Sequence, residues 1–241
     1  MSDSLLSTHA VPVRERLIVA LDVTGPAAAA DLVDRLGESV QFYKLGLQLF
    51  MAGGYFELVD RLRDQGKQVF IDLKFFDVPS TVGAAVEQLS ERDVSFATVH
   101  GNDAILQAAV DAKGDLKILA VTVLTSLDRG DLTDLGFQCD VEELVLSRAR
   151  RALALGCDGV ISSGLEVPKL QLALGNGLLF VTPGIRPVEN TMRDDQKRIV
   201  DVRTAFLNGA DYIVVGRLVI NAEDPRAKAE EIQQIIAALF S

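Results

Sequence analysis

Short runs of nearly continuous apolar residues recur along the chain, each followed by a longer stretch of mixed polarity. The first, Arg16 to Val23, reads Arg-Leu-Ile-Val-Ala-Leu-Asp-Val. Apolarity so dense over so few residues fits a strand buried on both faces, as in a parallel sheet. Gly25-Pro26 breaks it, and an Ala-rich helix is expected to Leu36. The same alternation predicts strands at Gln41 to Gly46, Val69 to Lys74, Ser95 to His100, Leu116 to Leu124, Gly159 to Ser163, Leu178 to Thr182 and Tyr212 to Gly216. Helices are expected from about Gly54 to Asp64, from Pro79, over Asp103 to Ala112 and Val141 to Leu155, after Ser163, around Val202 to Asn208, and from Pro225 to Leu239. Pro79 suits a helix start, where its missing N–H removes no bond.

This makes eight strand–helix units of about thirty residues each, the pattern of an α/β (β/α)8 TIM barrel. An open doubly wound sheet is the main alternative, but the Gly-x-Gly-x-x-Gly turn that would support it is absent after the first strand. With 241 residues, 49% of them hydrophobic, the chain has enough apolar surface for one large core. No linker or composition shift marks a second domain, so residues 15–241 read as a single barrel and residues 1–14 as a flexible tail. Met1 to Pro12 lacks the basic start and apolar block of a signal peptide, and no apolar run reaches the ~18 residues of a membrane span. A cytoplasmic protein is expected.

The formal charge of −10 disfavours nucleic acid and anionic membranes as partners. Any anion must be held by local lysines, arginines and backbone amides. Cys139 and Cys157 are the only cysteines and read as reduced cytosolic thiols. With His9 and His100 the only histidines, a zinc site built on several histidines is ruled out, while an all-oxygen metal site stays open.

In such barrels the active site lies at the C-terminal ends of the strands. Two aspartates and two lysines of this chain fall inside or at the ends of strands. Strand one ends at Asp22, strand two carries Lys44, and strand three carries Asp72 and Lys74. Strand four ends at His100, five at Thr125-Ser126, six in Ser162-Ser163-Gly164, seven at Arg186, and eight at Gly216-Arg217. Residues two apart on a strand share a face, so Asp72 and Lys74 are expected to point into the barrel, with Ile71 and Leu73 outward. Spacing leaves Asp77, beyond the strand, unplaced. For a lone Asp-x-Lys a buried structural ion pair is the plain alternative; Asp22 and Lys44 at neighbouring strand ends weigh towards a catalytic cluster. Flanking carboxylates favour the ammonium form of Lys74, which suits a proton donor better than a Schiff-base nucleophile.

Thr182-Pro183-Gly184-Ile185-Arg186 and Gly216-Arg217 follow strands seven and eight, where these barrels commonly grip phosphate. Glycine lets backbone amides approach an anion, and arginine offers a bidentate fork. The polar stretch Pro187 to Arg198 reads as a lid or as an exposed connector, with Gln196 the lid residue expected to reach the phosphate. His100 reads as structural, and Asp128, Asp131 and Asp134 as solvated loop charges.

Asp72-Leu73-Lys74-Phe75-Phe76-Asp77-Val78-Pro79-Ser80-Thr81 resembles the Asp-x-Lys-x-x-Asp-(Ile/Val)-Pro-x-Thr signature of the orotidine 5′-phosphate decarboxylases. Leu21-Asp22, Tyr43-Lys44-Leu45-Gly46, Leu124-Thr125-Ser126, the Pro183-Gly184-Ile185-Arg186 loop, Asp195-Gln196 and Val215-Gly216-Arg217 follow in the same order, in the bacterial short-chain form. The resemblance implies decarboxylation of orotidine 5′-monophosphate to uridine 5′-monophosphate without a cofactor, the last step of pyrimidine synthesis. It implies that Lys74 delivers a proton to C6 and that Asp72 lies beside the departing carboxylate. Lys44 and Asp77 would complete the charge network and, with Asp22, hold ribose hydroxyls. Thr125 and Ser126 would contact the pyrimidine, while Pro183, Arg186, Gln196, Gly216 and Arg217 take the phosphate. It further implies a homodimer in which Asp77 and Thr81 enter the partner's site. The nearest rival is a Mg²⁺-dependent sugar-phosphate decarboxylase or synthase that shares Asp-x-Lys-x-x-Asp; the Val-Pro-x-Thr continuation and the Pro-Gly-Ile-Arg loop favour the nucleotide enzyme. A non-catalytic phosphate binder and a Schiff-base aldolase are more distant alternatives.

Overall fold

The apolar runs form the staves of a closed barrel in a computed structural model that describes residues 5–186 and 199–240. The strands are β1 (Leu17–Ala20), β2 (Phe42–Gly46), β3 (Gln68–Phe75), β4 (Phe96–His100), β5 (Lys117–Val121), β6 (Gly159–Ile161), β7 (Leu179–Thr182) and β8 (Tyr212–Val215). All pair in parallel and in chain order, and β8 returns to β1. Around them run α1 (Pro26–Leu36), α2 (Leu47–Met51), α3 (Tyr55–Asp64), α4 (Pro79–Ser90), α5 (Asp103–Ala112), α6 (Arg129–Asp134), α7 (Val141–Ala154), α8 (Val167–Leu174), α9 (Val202–Leu207), α10 (Arg217–Ile220) and α11 (Pro225–Phe240). The (β/α)8 barrel expected from the alternation is the fold. The short helices α2, α6 and α10 were not expected, because so few residues carry no readable helical period. Asp128 and Asp131, read as solvated loop charges, instead form a capping box on α6: Asp128 accepts the Gly130 and Asp131 amides, and Asp131 accepts the Asp128 amide.

The alternating pleat divides the core in two. Leu17, Val19, Tyr43, Leu45, Val69 and Ile71 face outward under the helices, where Cys157 is also buried. Ile18, Phe42, Phe70, Phe96, Leu119, Val181, Tyr212 and Val214 fill the interior. Phe96 packs against Phe42 and Tyr212 with ring centroids 5.0 and 5.2 Å apart. This aromatic layer plugs the lower barrel. Two residues further along each strand, the same inward face presents Ala20, Lys44, Asp72, Thr98 and Val121. Polar side chains therefore begin where the apolar plug stops.

The expected loose tail differs from what is found from Leu5 onward. Its Leu5 amide bonds the Leu207 carbonyl at 3.1 Å, and the Arg16 guanidinium bonds the His9 carbonyl at 3.1 Å. The cause is Asp211, a fully buried carboxylate. Its Oδ1 takes the Ser7 hydroxyl and His9 Nδ1, the latter at 2.8 Å, and Oδ2 takes the Phe180 amide at 2.7 Å. A buried charge needs such partners, and the tail supplies two of them.

Candidate active site

The inward layer above the aromatic plug brings four charges into one alternating row. Lys44 Nζ lies 3.4 Å from Asp22 Oδ1 and 3.2 Å from Asp72 Oδ2, and Lys74 Nζ lies 2.8 Å from Asp72 Oδ1. Lys44 and Asp72 are nearly closed off, each side chain only 12% exposed, whereas Asp22 opens to solvent. Burial alone would lower the Lys44 ammonium, but Asp72 and Asp22 outweigh it and raise its pKa. Burial alone would likewise raise the Asp72 carboxyl; the charges of Lys44 and Lys74, with hydrogen bonds from Lys74 and Thr98, hold it below the usual range. Glycines beside the row leave it room. A Cβ on Gly46 would stand 3.2 Å from Lys44 Nζ, and one on Gly216 would stand 3.3 Å from Asp22 Oδ2.

Simple pleat alternation accounts for Asp72 but not for Lys74. Ile71 pairs with Ala97 and Phe75 with Val99, so β3 spends two more residues than β4 over the same rise. The surplus is taken up at Lys74, whose φ of +50° lies in the left-handed region. Ile71 and Leu73 do pack outward as expected. Lys74 converges on Asp72 through this bulge. A residue that sequence reasoning passed over, Thr98 of β4, sits against it. Its hydroxyl accepts the Lys74 backbone N–H at 3.0 Å and donates to Asp72 Oδ1 at 2.9 Å. Strand alternation with His100 was the available signal, since Thr98 lies two residues before it.

A cavity of about 260 Å³ opens above the row. Asp22, Lys44, Asp72 and Lys74 line it, together with Thr125, Pro183, Gly184, Arg186, Gly216 and Arg217. The β7 loop is pinned by a bridge between Ile185 and Val200, with the Arg186 amide on the Val200 carbonyl at 3.0 Å and the Val200 amide on the Gly184 carbonyl at 3.2 Å. Gly184, at φ +81°, makes the turn that a residue with a Cβ would resist. Ser126 lies next to the lining residue Thr125, half-buried. Gln196 and the expected lid fall outside the described residues. His100 ends β4 beside the cavity, with the Phe76 ring edge-on at 5.2 Å. Burial, then the charges of Arg148 and Lys74, lower its pKa.

Asp77 and Thr81 do not line this cavity. They lie on an adjoining surface hollow with Leu47, Phe50, Phe76 and Ala85. Asp77 Oδ1 accepts the Val78 amide at 2.6 Å, ahead of α4. Phe76 and Leu47 in this hollow are 68% and 57% exposed.

Two carboxylates and two ammoniums alternating at the mouth of a barrel, opposite strand ends suited to phosphate, narrow the chemistry to few families. Residues 15–232 match the sequence profile described as "Orotidine 5'-phosphate decarboxylase / HUMPS family". The chain belongs to that family. An orotidine 5'-phosphate decarboxylase of Methylococcus capsulatus is 63% identical over 238 residues, covering 99% of this chain and 98% of its own length. One of Stenotrophomonas maltophilia is 48% identical over 240 residues, covering 98% and 99%. Among solved structures, orotidine 5'-phosphate decarboxylase from Lactobacillus acidophilus superposes with a TM-score of 0.82 at 34% identity, covering 92% of this chain and 99% of that one. Membership in this family makes the chain an enzyme of the carboxy-lyase class.

Proposed function

We propose that the protein decarboxylates orotidine 5′-monophosphate to uridine 5′-monophosphate and CO2 in pyrimidine biosynthesis, with Lys74 as the proton donor. The observation that carries this reading is the row Asp22–Lys44–Asp72–Lys74 in the same cavity as Arg186, Gly216 and Arg217. The phosphate binds at the β7 and β8 ends, with Gly184 and Gly216 giving backbone access, Pro183 shaping the β7 loop beside it, and Arg186, Arg217 and Gln196 giving side-chain donors. Asp22 and Lys44 take ribose hydroxyls. Thr125 and Ser126 face the pyrimidine. The substrate carboxylate lies towards Asp72 and C6 towards Lys74 Nζ.

As the C6–carboxylate bond breaks, its electron pair stays on C6 and CO2 departs. The ring offers that pair no electron sink, so the Lys74 ammonium is the charge placed against it. Transfer of one Nζ proton to C6 completes the product and leaves a neutral amine, which solvent reprotonates. The residues ask for no metal or organic cofactor in this sequence of steps. Contacts at the phosphate, remote from C6, supply binding energy that closes the site and raises the rate.

Exposed Phe76 and Leu47 in the hollow that holds Asp77 support a second part of the proposal. Two copies pair through this face, and Asp77 and Thr81 complete the partner's site. The direct test is loss of orotidine 5′-monophosphate absorbance on adding protein in EDTA. Full turnover with EDTA and none with Lys74→Ala is the expected result. Turnover that requires Mg²⁺ would favour the sugar-phosphate branch of the family, and wild-type-like turnover in Lys74→Ala would remove the proton-donor role.

A further inference from the structure

Thr98 touches the two groups whose relative placement the proposed chemistry depends on, yet it does not line the cavity. Its side chain is fully buried, in the inward layer directly above Phe96. Beside it the β3–β4 ladder breaks, so the Lys74 N–H has no regular strand partner there and bonds the Thr98 hydroxyl instead. The same hydroxyl carries a single proton, which it gives to Asp72 Oδ1. That oxygen also takes Lys74 Nζ. One hydroxyl thus ties the Lys74 backbone, the Asp72 carboxylate and, through that carboxylate, the Lys74 ammonium into one closed ring of hydrogen bonds.

We propose that Thr98 is a positioning residue, which fixes the bulge at Lys74 and the rotamer of Asp72 so that Lys74 Nζ is held at the reacting carbon. This rests on Lys74 and Asp72 doing the chemistry as proposed above. Valine cannot make either bond but has nearly the same shape. A ring opened at this point frees the ammonium by a fraction of an ångström to an ångström, and displacements of that size cost up to about 100-fold in rate. The groups facing Asp72 also set the pH response. They are Lys44 from β2, Lys74 from β3, Asp22 beyond Lys44, and Tyr55 from α3, whose hydroxyl is committed to the Leu45 carbonyl at 2.9 Å. Removing the Thr98 donor leaves these unchanged and weakens the ionised form of Asp72 alone.

The test is steady-state kinetics of Thr98→Val and Thr98→Ser across pH, with Lys74→Ala alongside. Expected for Thr98→Val are a kcat lowered about 10- to 100-fold, a KM within about threefold of wild type, and an acid limb of kcat moved to higher pH. Thr98→Ser, which keeps the hydroxyl, returns kcat to near the wild-type value. If the valine chain does not fold, Thr98→Ala takes its place and the serine comparison stands. A Thr98→Val enzyme with wild-type kcat and pH profile overturns the proposal, as does a serine variant as impaired as the valine one, which would mean that only the methyl group matters. In both cases an inactive Lys74→Ala keeps the underlying chemistry intact. An active Lys74→Ala removes the chemistry itself.

Discussion

Replacing Asp72 by Asn separates two roles that a carboxylate at this position is able to play. In the first, its charge strains the bound substrate by repelling the substrate carboxylate. Two like charges 4 Å apart cost about 4 kcal/mol at an effective dielectric of ~20, so relief of that strain would tighten substrate binding by up to about a thousandfold. In the second, Asp72 orients the lysines. The structure weighs for the second. Both Asp72 oxygens are occupied, Oδ1 by Lys74 Nζ and the Thr98 hydroxyl, Oδ2 by Lys44 Nζ. An arriving carboxylate therefore meets two ammoniums along with the one carboxylate, and the net field opposing it is small. Asp72→Asn should lower kcat at least about 100-fold, while KM, which approaches the dissociation constant in a slow variant, stays within a few-fold of wild type. A KM lowered about 100-fold or more would refute this reasoning in favour of strain; an unchanged kcat would remove Asp72 from the mechanism. Stability gives a second reading. Breaking a buried pair costs about 3–5 kcal/mol, and Asn, which still accepts hydrogen bonds, belongs at the lower end. At roughly 2–4 °C per kcal/mol for a chain of this size, melting should fall by roughly 6–12 °C. The folded Asp72 carboxyl is depressed because Lys44, Lys74 and Thr98 outweigh its burial. Its stabilisation is therefore present above the unfolded value of about 3.9 and is lost as pH falls through the folded one. The melting difference between wild type and Asp72→Asn should be full at neutral pH and shrink below about pH 4.

Two other outcomes follow from the placement of single residues. Arg217→Ala should raise KM for the nucleotide by about 10- to 100-fold, the loss expected for a charged hydrogen bond of about 1.5–3 kcal/mol, and an unchanged KM would take Arg217 out of the phosphate grip. Mixing Asp77→Asn chains with Lys74→Ala chains should restore part of the activity, because one mixed site then holds both wild-type residues; no rescue with heterodimers shown to form would refute the shared site.

The barrel was legible because a parallel strand buried on both faces writes itself as an apolar run, and the breaks between runs carry Gly and Pro. The row Asp22, Lys44, Asp72 and Lys74 was legible for a related reason: charge at the end of such a run has nowhere to go but the mouth of the barrel. What stayed hidden depends on contacts between segments far apart in the chain. Thr98 looks like any strand threonine until β3 and β4 are laid side by side and the ladder is seen to break. The anchoring of the tail was hidden because it answers Asp211, some two hundred residues away, and nothing local to Ser7 or His9 announces that buried carboxylate. Asp128 is exposed and Asp131 partly so, but their place at a helix start was missed because a six-residue helix is too short to declare it.

The division of the barrel interior explains how the site tolerates its own cost. A non-glycine residue in the left-handed region carries about 1–2 kcal/mol of strain, and closing the Lys44 ammonium and the Asp72 carboxylate off from water costs several more. The charges offset their burial by pairing with one another, whereas the bulge strain is not offset by regular ladder bonds, which are forfeited at Lys74. The lower barrel supplies the compensation. Phe42, Phe70 and Phe96 are almost completely buried there, and each full burial of such a side chain is worth about 1.5–3 kcal/mol. These three side chains sit on β2, β3 and β4, the strands that carry Lys44, Asp72 and Thr98 two residues further on. The same pleat that drives each ring into the plug therefore sets each polar group in the layer above it, Lys44 and Asp72 facing the cavity and Thr98 behind them. Truncating Phe70 would act on the site through stability and through the height of Asp72 together, whereas Thr98→Val spares the plug and acts on the row alone. Of the two, only the threonine variant can separate how well the barrel holds from how well the row is aimed.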